Sequence, residues 1–151
     1  MANSEDSQER TRRMLELGHL HAQLEASKQL DPLLETLVQE PVYEFYPLGL
    51  GFRGGERTRR YYEQFFVGFM ERIEHYALRG EWASEVAVVQ EYDITTEVDG
   101  LRETHRVVGI LFGDGERLGG ERVYASERCV RLMTGELFDE LTPLVEDAPP
   151  G

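Results

Sequence analysis

The stretch VAVVQEYDITTEVDGLRETHRVVGILF, residues 86–112, decides the fold. Two runs rich in Val, Ile, Thr and Tyr alternate around Asp99–Gly100, the dipeptide that a two-residue type I′ hairpin turn favours. With that turn closed, Val98 opposes Leu101, and the pairs Ile94–His105, Asp93–Arg106, Tyr92–Val107 and Glu91–Val108 follow. One face then carries Val88, Tyr92, Ile94, His105, Val107 and Leu111. The other carries Val89, Glu91, Asp93, Arg106, Val108, Ile110 and Phe112. Neither face is cleanly polar, so both are expected to be covered, one by helices and the other by a second subunit.

Downstream, GDGE (113–116) marks a second turn, RLGGERVYAS (117–126) the next strand, and ERCVRLMTGELFDEL (127–141) a short helix. Upstream, EWASEVAVVQEYDITTEV (81–98) reads as one long strand, bent or bulged near Ala83–Ser84. Before it, ERTRRYYEQFFVGFMERIEHYA (56–77) is an amphipathic helix. Tyr62, Phe65, Phe66, Phe69, Ile73 and Tyr76 recur on one face of it at three- or four-residue spacing. The glycine-rich LGLGFRGG (48–55) reads as a loop, and VYEFYP (42–47) as a strand. Asp31–Pro32 caps a short helix, PLLETLVQ (32–39). Glu9 to Lys28 is helical, with Met14, Leu17, His21 and Leu24 on its apolar side. Residues 1–8 are expected to be disordered, 9–142 to form one domain, and 143–151 to be a flexible tail. Helices, a strand, a helix and an antiparallel meander together make an α+β domain.

A chain of 151 residues suffices for one core. The formal charge of −13, from 16 basic and 29 acidic side chains, argues against a nucleic-acid partner, because no basic stripe reverses it locally. The single cysteine, Cys129, sits in an apolar run and reads as a packed thiol in a reducing compartment. The polar N-terminus lacks the apolar core of a signal peptide, and no run could span a bilayer. The expectation is a soluble, cytoplasmic protein without a membrane partner. His19, His21 and His75 lack metal-ligand spacing, and GLGFRGG does not fit a phosphate-cradling motif. No metal and no cofactor are expected.

The segment order resembles the nuclear transport factor 2-like superfamily, in particular its SnoaL-like and ketosteroid-isomerase-like members. PVYEFYPLGLGFRGGERTRRYYEQFF (41–66) is similar to that family's first strand, glycine loop and long helix. EVDGLRETHRVVGILFGDGERLGGERVYAS (97–126) is similar to its terminal hairpins. The resemblance covers roughly residues 10–140. It implies a cone-shaped barrel: a curved, mostly antiparallel sheet wrapped around N-terminal helices and one long amphipathic helix, with a pocket at the open end. It also implies a homodimer. Members include cofactor-free isomerases, polyketide cyclases, hydrolases and non-catalytic binders, so fold alone does not fix function.

Tyr46 stands where ketosteroid isomerases carry their carboxylate base, and Val108 where they carry the protonated carboxylate of the oxyanion hole. Both departures argue against steroid isomerisation. SnoaL-like cyclases use a carboxylate on the last strands with a histidine on the neighbouring strand, places that Glu121 and His105 could fill. The candidate catalytic residues are therefore Glu121, Glu91, His105 and Tyr46, the last as a donor to a ligand oxygen. Tyr43, Tyr62, Phe66, Phe69, Trp82 and Val108 are the candidate pocket walls.

The second turn decides the partner of Glu121. A two- or four-residue loop pairs Phe112 with Arg117 and Val108 with Glu121, placing Glu121 beside Glu91. A three-residue loop with Gly115 left-handed slips the pairing by one and puts Glu121 with His105 and Tyr92. The resemblance favours the first register. Two carboxylates in an apolar pocket divide acid and base roles, whereas a Glu–His pair orients an imidazole base. Against both stands a solvated strand face on which Asp93 and Arg106 form a cross-strand ion pair. The function implied is a pocket for a hydrophobic, oxygenated small molecule, with proton transfer at carboxylates; the alternative is a non-catalytic dimeric binding module.

Overall fold

The computed structural model describes residues 4–144. Helix α1 (Ser4–Ala26) and the short α2 (Leu30–Glu35) lead into β1 (Leu37–Tyr46) and β2 (Leu50–Arg53). Helix α3 (Gly55–Gln64) runs on through a π-helical turn, Phe65–Phe69, and a 3-10 turn, Met70–Arg72. Strands β3 (Ile73–Ala83), β4 (Ala87–Val98), β5 (Leu101–Gly113) and β6 (Leu118–Tyr124) follow. Then come α4 (Glu127–Thr134), a 3-10 turn over Gly135–Glu140, and β7 (Thr142–Pro143). The seven strands form one curved sheet in the order β3-β4-β5-β6-β1-β2-β7. All neighbours are antiparallel except β1 and β6. Bulges in β1, β3 and the β5–β6 ladder add local twist, which bends the sheet around the helices. This is the expected α+β cone.

The concave face is the core. Val88, Ile94, Val107, Leu111, Tyr43 and Phe45 from the sheet pack against Met14, Leu17, Tyr61, Tyr62, Phe65 and Phe69 from the helices. Cys129 is buried here, and burial pushes its thiol up to about 12, so it is a packed group and no nucleophile at neutral pH.

Several boundaries differ from the sequence reading. Residues 4–8 belong to α1 instead of a disordered terminus, because Ser7 and Arg10 reach Glu85 at the β3–β4 connection. Residues 1–3 and the expected tail beyond 144 lie outside the described residues. Strand β1 begins at Leu37, five residues early, since Leu37 pairs with Leu118 and a bulge accommodates Pro41, whose carbonyl accepts from Gly54 N. The glycine loop holds β2. The long helix ends at Arg72, and Ile73 to Tyr76 instead pair with Thr96, Thr95 and Ile94. The single long strand is the β3–β4 hairpin.

The β4–β5 register is the expected one at every pair. The β5–β6 register is not: Leu111, not Val108, opposes Glu121. Asp114 Oδ1 accepts from the backbone N–H groups of Glu116 and Arg117 at 2.9 and 3.0 Å, so the four-residue loop is Asp114–Arg117 and Gly113 pairs with Leu118. That shift alone would leave Glu121 on the Glu91 face. The bulge that follows leaves Gly119 without a partner, so that Phe112 pairs with Gly120 and Glu121 turns to the concave side.

Candidate functional site

Glu121 projects from a central strand into a cavity of about 540 Å3 between α1, the π-helical turn and the inner sheet. Its lining is apolar and aromatic, including Phe65, Phe69, Ile73, Tyr92, Ile94 and Leu111. Glu25, from the last turns of α1, opens into the same space and keeps 30% of its side chain exposed, as does a residue at a rim. The π-helical turn widens the backbone at FFVGF and brings Phe65 and Phe69 to the cavity together.

Gly109 makes room for the carboxyl. A Cβ at this position would stand 2.5 Å from Glu121 Oε1, so Glu121 lies across the space that any side chain there would occupy. Neither the Glu121 nor the Glu25 carboxyl has a hydrogen-bond partner among the described residues. Burial pushes both carboxyls well above the usual carboxylate range, and the charge of Glu25 raises Glu121 further. Such a pair gives up its protons in coupled steps and holds proton and charge near neutral pH.

Beside the pair runs a buried hydrogen-bonded chain whose direction can be read. Thr36 Oγ1 donates to the Leu33 carbonyl at 2.6 Å, so it accepts from His21 Nδ1 at 2.8 Å. His21 Nε2 therefore accepts from the Tyr62 hydroxyl at 3.2 Å, and Tyr62 accepts from Tyr43 at 2.7 Å. Burial lowers His21 to about 4, so the imidazole is neutral. Its Nε2 stands 3.8 Å from Glu25 Oε2. Replacing Thr36 by valine strands the Nδ1–H in the core and should cost about 1–3 kcal/mol, seen as a lower urea midpoint. An unchanged midpoint would mean that the Thr36–His21 hydrogen bond contributes nothing to stability.

The sequence-selected residues divide between two faces. Phe69 lines the cavity, while Tyr43, Tyr62 and Phe66 are buried in the core behind it. His105 is on the concave side but outside the cavity, with Nε2 3.3 Å from Thr96 Oγ1, and burial lowers its pKa. Glu91 lies on the convex face with Arg106 at 3.1 Å, and Asp93 binds both Arg106 and Arg79 there. Val108 shares that face. Tyr46 stacks on Tyr124 at 5.2 Å, and Trp82 lies over Gly80 with 58% of its surface exposed. The structure thus brings Glu121 together with neither Glu91 nor His105.

Sequence reasoning misses Glu25. Its signal is the stripe Met14, Leu17, His21, which continues at the next helical spacing to residue 25 as well as to Leu24. A larger open groove of about 700 Å3 runs along α2, the start of β1 and α3. Its charged groups are solvated ones, such as the Arg59–Asp31 pair, so the less open, more apolar cavity is the better chemical site. No helix among the described residues is long and apolar enough to cross a membrane.

No protein-family model matches the chain, and no curated protein matches it. Solved structures do. An M. tuberculosis LEH-like epoxide hydrolase superposes with a TM-score of 0.61 at 21% identity, over 82% of this chain and 87% of that one. A nuclear-transport-factor-2-like protein from Anabaena variabilis gives 0.63 at 20% identity, over 76% and 90%. A protein of ketosteroid-isomerase-like fold from Catenulispora acidiphila, solved in complex with trimethylamine, gives 0.59 at 16% identity, over 80% and 92%. The chain has the fold of the nuclear transport factor 2-like superfamily.

Proposed function

We propose that the cavity binds a small, hydrophobic, oxygenated molecule and that Glu121 and Glu25 move a proton on it. The observation that carries this reading is the unpartnered Glu121 carboxyl facing an apolar cavity shared with a second carboxyl. The member of the pair that holds a proton can donate to a ligand oxygen, and the ionised member can accept a proton from carbon or water. This is the chemistry of a cofactor-free isomerase, cyclase or hydrolase. Glu25 takes the partner role expected of Glu91 or His105. The solved neighbours include a hydrolase and a small-amine complex, and at these identities they support the fold as a pocket scaffold, not either activity.

A second reading, a dimeric binding module without turnover, draws on the convex face. There Trp82 and Tyr124 are exposed beside the half-buried Val108, Ile110 and Phe112.

The test is a thermal-shift screen of the protein against steroids, polyketides and terpenoid epoxides, followed by incubation of the hits. Hits that turn over, with the rate falling at least ~100-fold in Glu121→Gln, support proton transfer. Hits that bind without turnover favour the binding module. A screen with no hit in any of these classes would overturn the oxygenated-ligand reading.

A further inference from the structure

Two aromatic pairs wall the cavity. Phe65 and Phe69, with ring centroids 5.1 Å apart, come from the π-helical turn, and Tyr76 and Tyr92, 5.2 Å apart, come from β3 and β4. Two carboxyls, Glu25 and Glu121, share the same lining, while no Lys or Arg lines the cavity among the described residues. His21 offers no charge, since both of its ring nitrogens are engaged with Thr36 and Tyr62. Other half-buried carboxylates differ. Asp93, Glu44 and Glu85 each have an arginine at 2.5–3.0 Å, whereas the two cavity carboxyls have none. A positively charged ligand complements an aromatic cavity whose carboxyls face no protein cation.

We propose that the ligand of this cavity is a hydrophobic monocation: an ammonium or quaternary nitrogen on an apolar, oxygen-bearing body. The cation meets one carboxylate and the electron-rich faces of the aromatic rings, an attraction that strengthens out of water. The other carboxyl retains a proton for the ligand oxygen. A volume of about 540 Å3 suits a small organic molecule. The net charge of −13 draws cations towards the protein from a distance. This inference rests on the cavity being a ligand site and goes further by fixing the sign of the ligand's charge.

Cation binding must also expel protons. Without a counter-charge the two carboxyls hold protons into the neutral range, and a bound cation relieves that. The other titratable groups facing the pair are His21 on α1, Tyr61 and Tyr62 on α3, Tyr76 on β3, Tyr92 on β4 and Tyr43 on β1. His21 is neutral above about 4, and burial raises all five tyrosines, so protons released near neutrality come from the carboxyls.

The experiment uses the full chain with methyl-labelled methionine and two probes of one shape: benzyltrimethylammonium and its uncharged carbon isostere, neopentylbenzene. Met70 and Met133 line the cavity and Met14 is buried elsewhere, so their methyl signals localise binding. The expected result is that the cation shifts Met70 and Met133 and binds at least ~10-fold more tightly than the isostere. Calorimetry in buffers of different ionisation heat should show proton release with the cation alone. The double variant Glu25→Gln with Glu121→Gln, its fold checked by the same methyl spectrum, should bring the two affinities close together. An isostere that binds as tightly as the cation would overturn the charge assignment and leave the ligand site standing. If neither probe moved Met70 or Met133, the charge assignment and the ligand site would fall together.

Discussion

Glu121→Gln is expected to stabilise the protein by about 2 kcal/mol at pH 8.5, a rise of roughly 5 °C in melting temperature for a chain of this size. The gain should vanish near pH 4. Burial and Glu25 raise the folded-state pKa of Glu121 above its ordinary value of 4.5, so the native state binds its proton more tightly than the unfolded chain does. A group of this kind contributes its full stability below the ordinary value, and that contribution is lost as pH rises through the folded value. The carboxyl contribution to wild-type stability must therefore fall between about pH 5 and pH 9, and fall less in the glutamine variant, while His21, held neutral by burial, adds stability to both as pH rises from about 4 to its ordinary 6.5. A tenfold gain in proton affinity on folding corresponds to about 1.4 kcal/mol, and water at the cavity mouth together with proton sharing with Glu25 reduces the sum. The decline is not abolished, because burial raises Glu25 independently. Urea denaturation of both proteins at pH 4, 6 and 8.5 measures the difference. A constant difference across pH would mean that the carboxylate is solvated, and the cavity would lose its chemical interest.

Local chemistry sets the geometry of the first hairpin. Asp99–Gly100 specifies a two-residue turn, and every β4–β5 pair follows from it by counting. The second hairpin has no such control. Its loop length could be bracketed, but the face of Glu121 turned on one unpaired residue, Gly119, and a bulge is chosen by what packs on either side. Gly119–Gly120 was a visible sign of irregularity without a direction. The end of the long helix was hidden for a related reason. Ile73 and Tyr76 continue the helical stripe of Phe65, Phe66 and Phe69, yet they also suit a strand, and pairing with β4 decides between the two. Glu25 was legible only as a charged residue on the edge of an apolar stripe. Its meaning depends on β6 lying opposite, which is tertiary information.

Gly120→Ala should be the most damaging single substitution near the site, costing more than about 3 kcal/mol or preventing folding. Gly120 has φ +142, and a Cβ there would stand 1.8 Å from the carbonyl oxygen and 2.7 Å from the carbonyl carbon of Val42. These are backbone atoms, so no rotamer change relieves the clash. The strand itself must move. Val42–Gly120 is the first pair of the continuous parallel β1–β6 ladder, and the next pair sets Tyr43 beside Glu121. Displacing β1 thus disturbs the Tyr43–Tyr62–His21 chain and the carboxyl at the same time. Gly100→Ala is the proper control: its φ of +81 also disfavours a side chain, but nothing lies within 4 Å, so the cost should be nearer about 1 kcal/mol. Urea midpoints of the two variants separate backbone conformation from strand approach. Equal losses would mean that φ alone accounts for Gly120, and that the close β1–β6 contact does not hold Glu121 in place. If Gly120→Ala folds but is much weaker than the control, adding Glu121→Gln should no longer restore stability at pH 8.5. The carboxylate would by then have been carried out of the apolar cavity that made it costly.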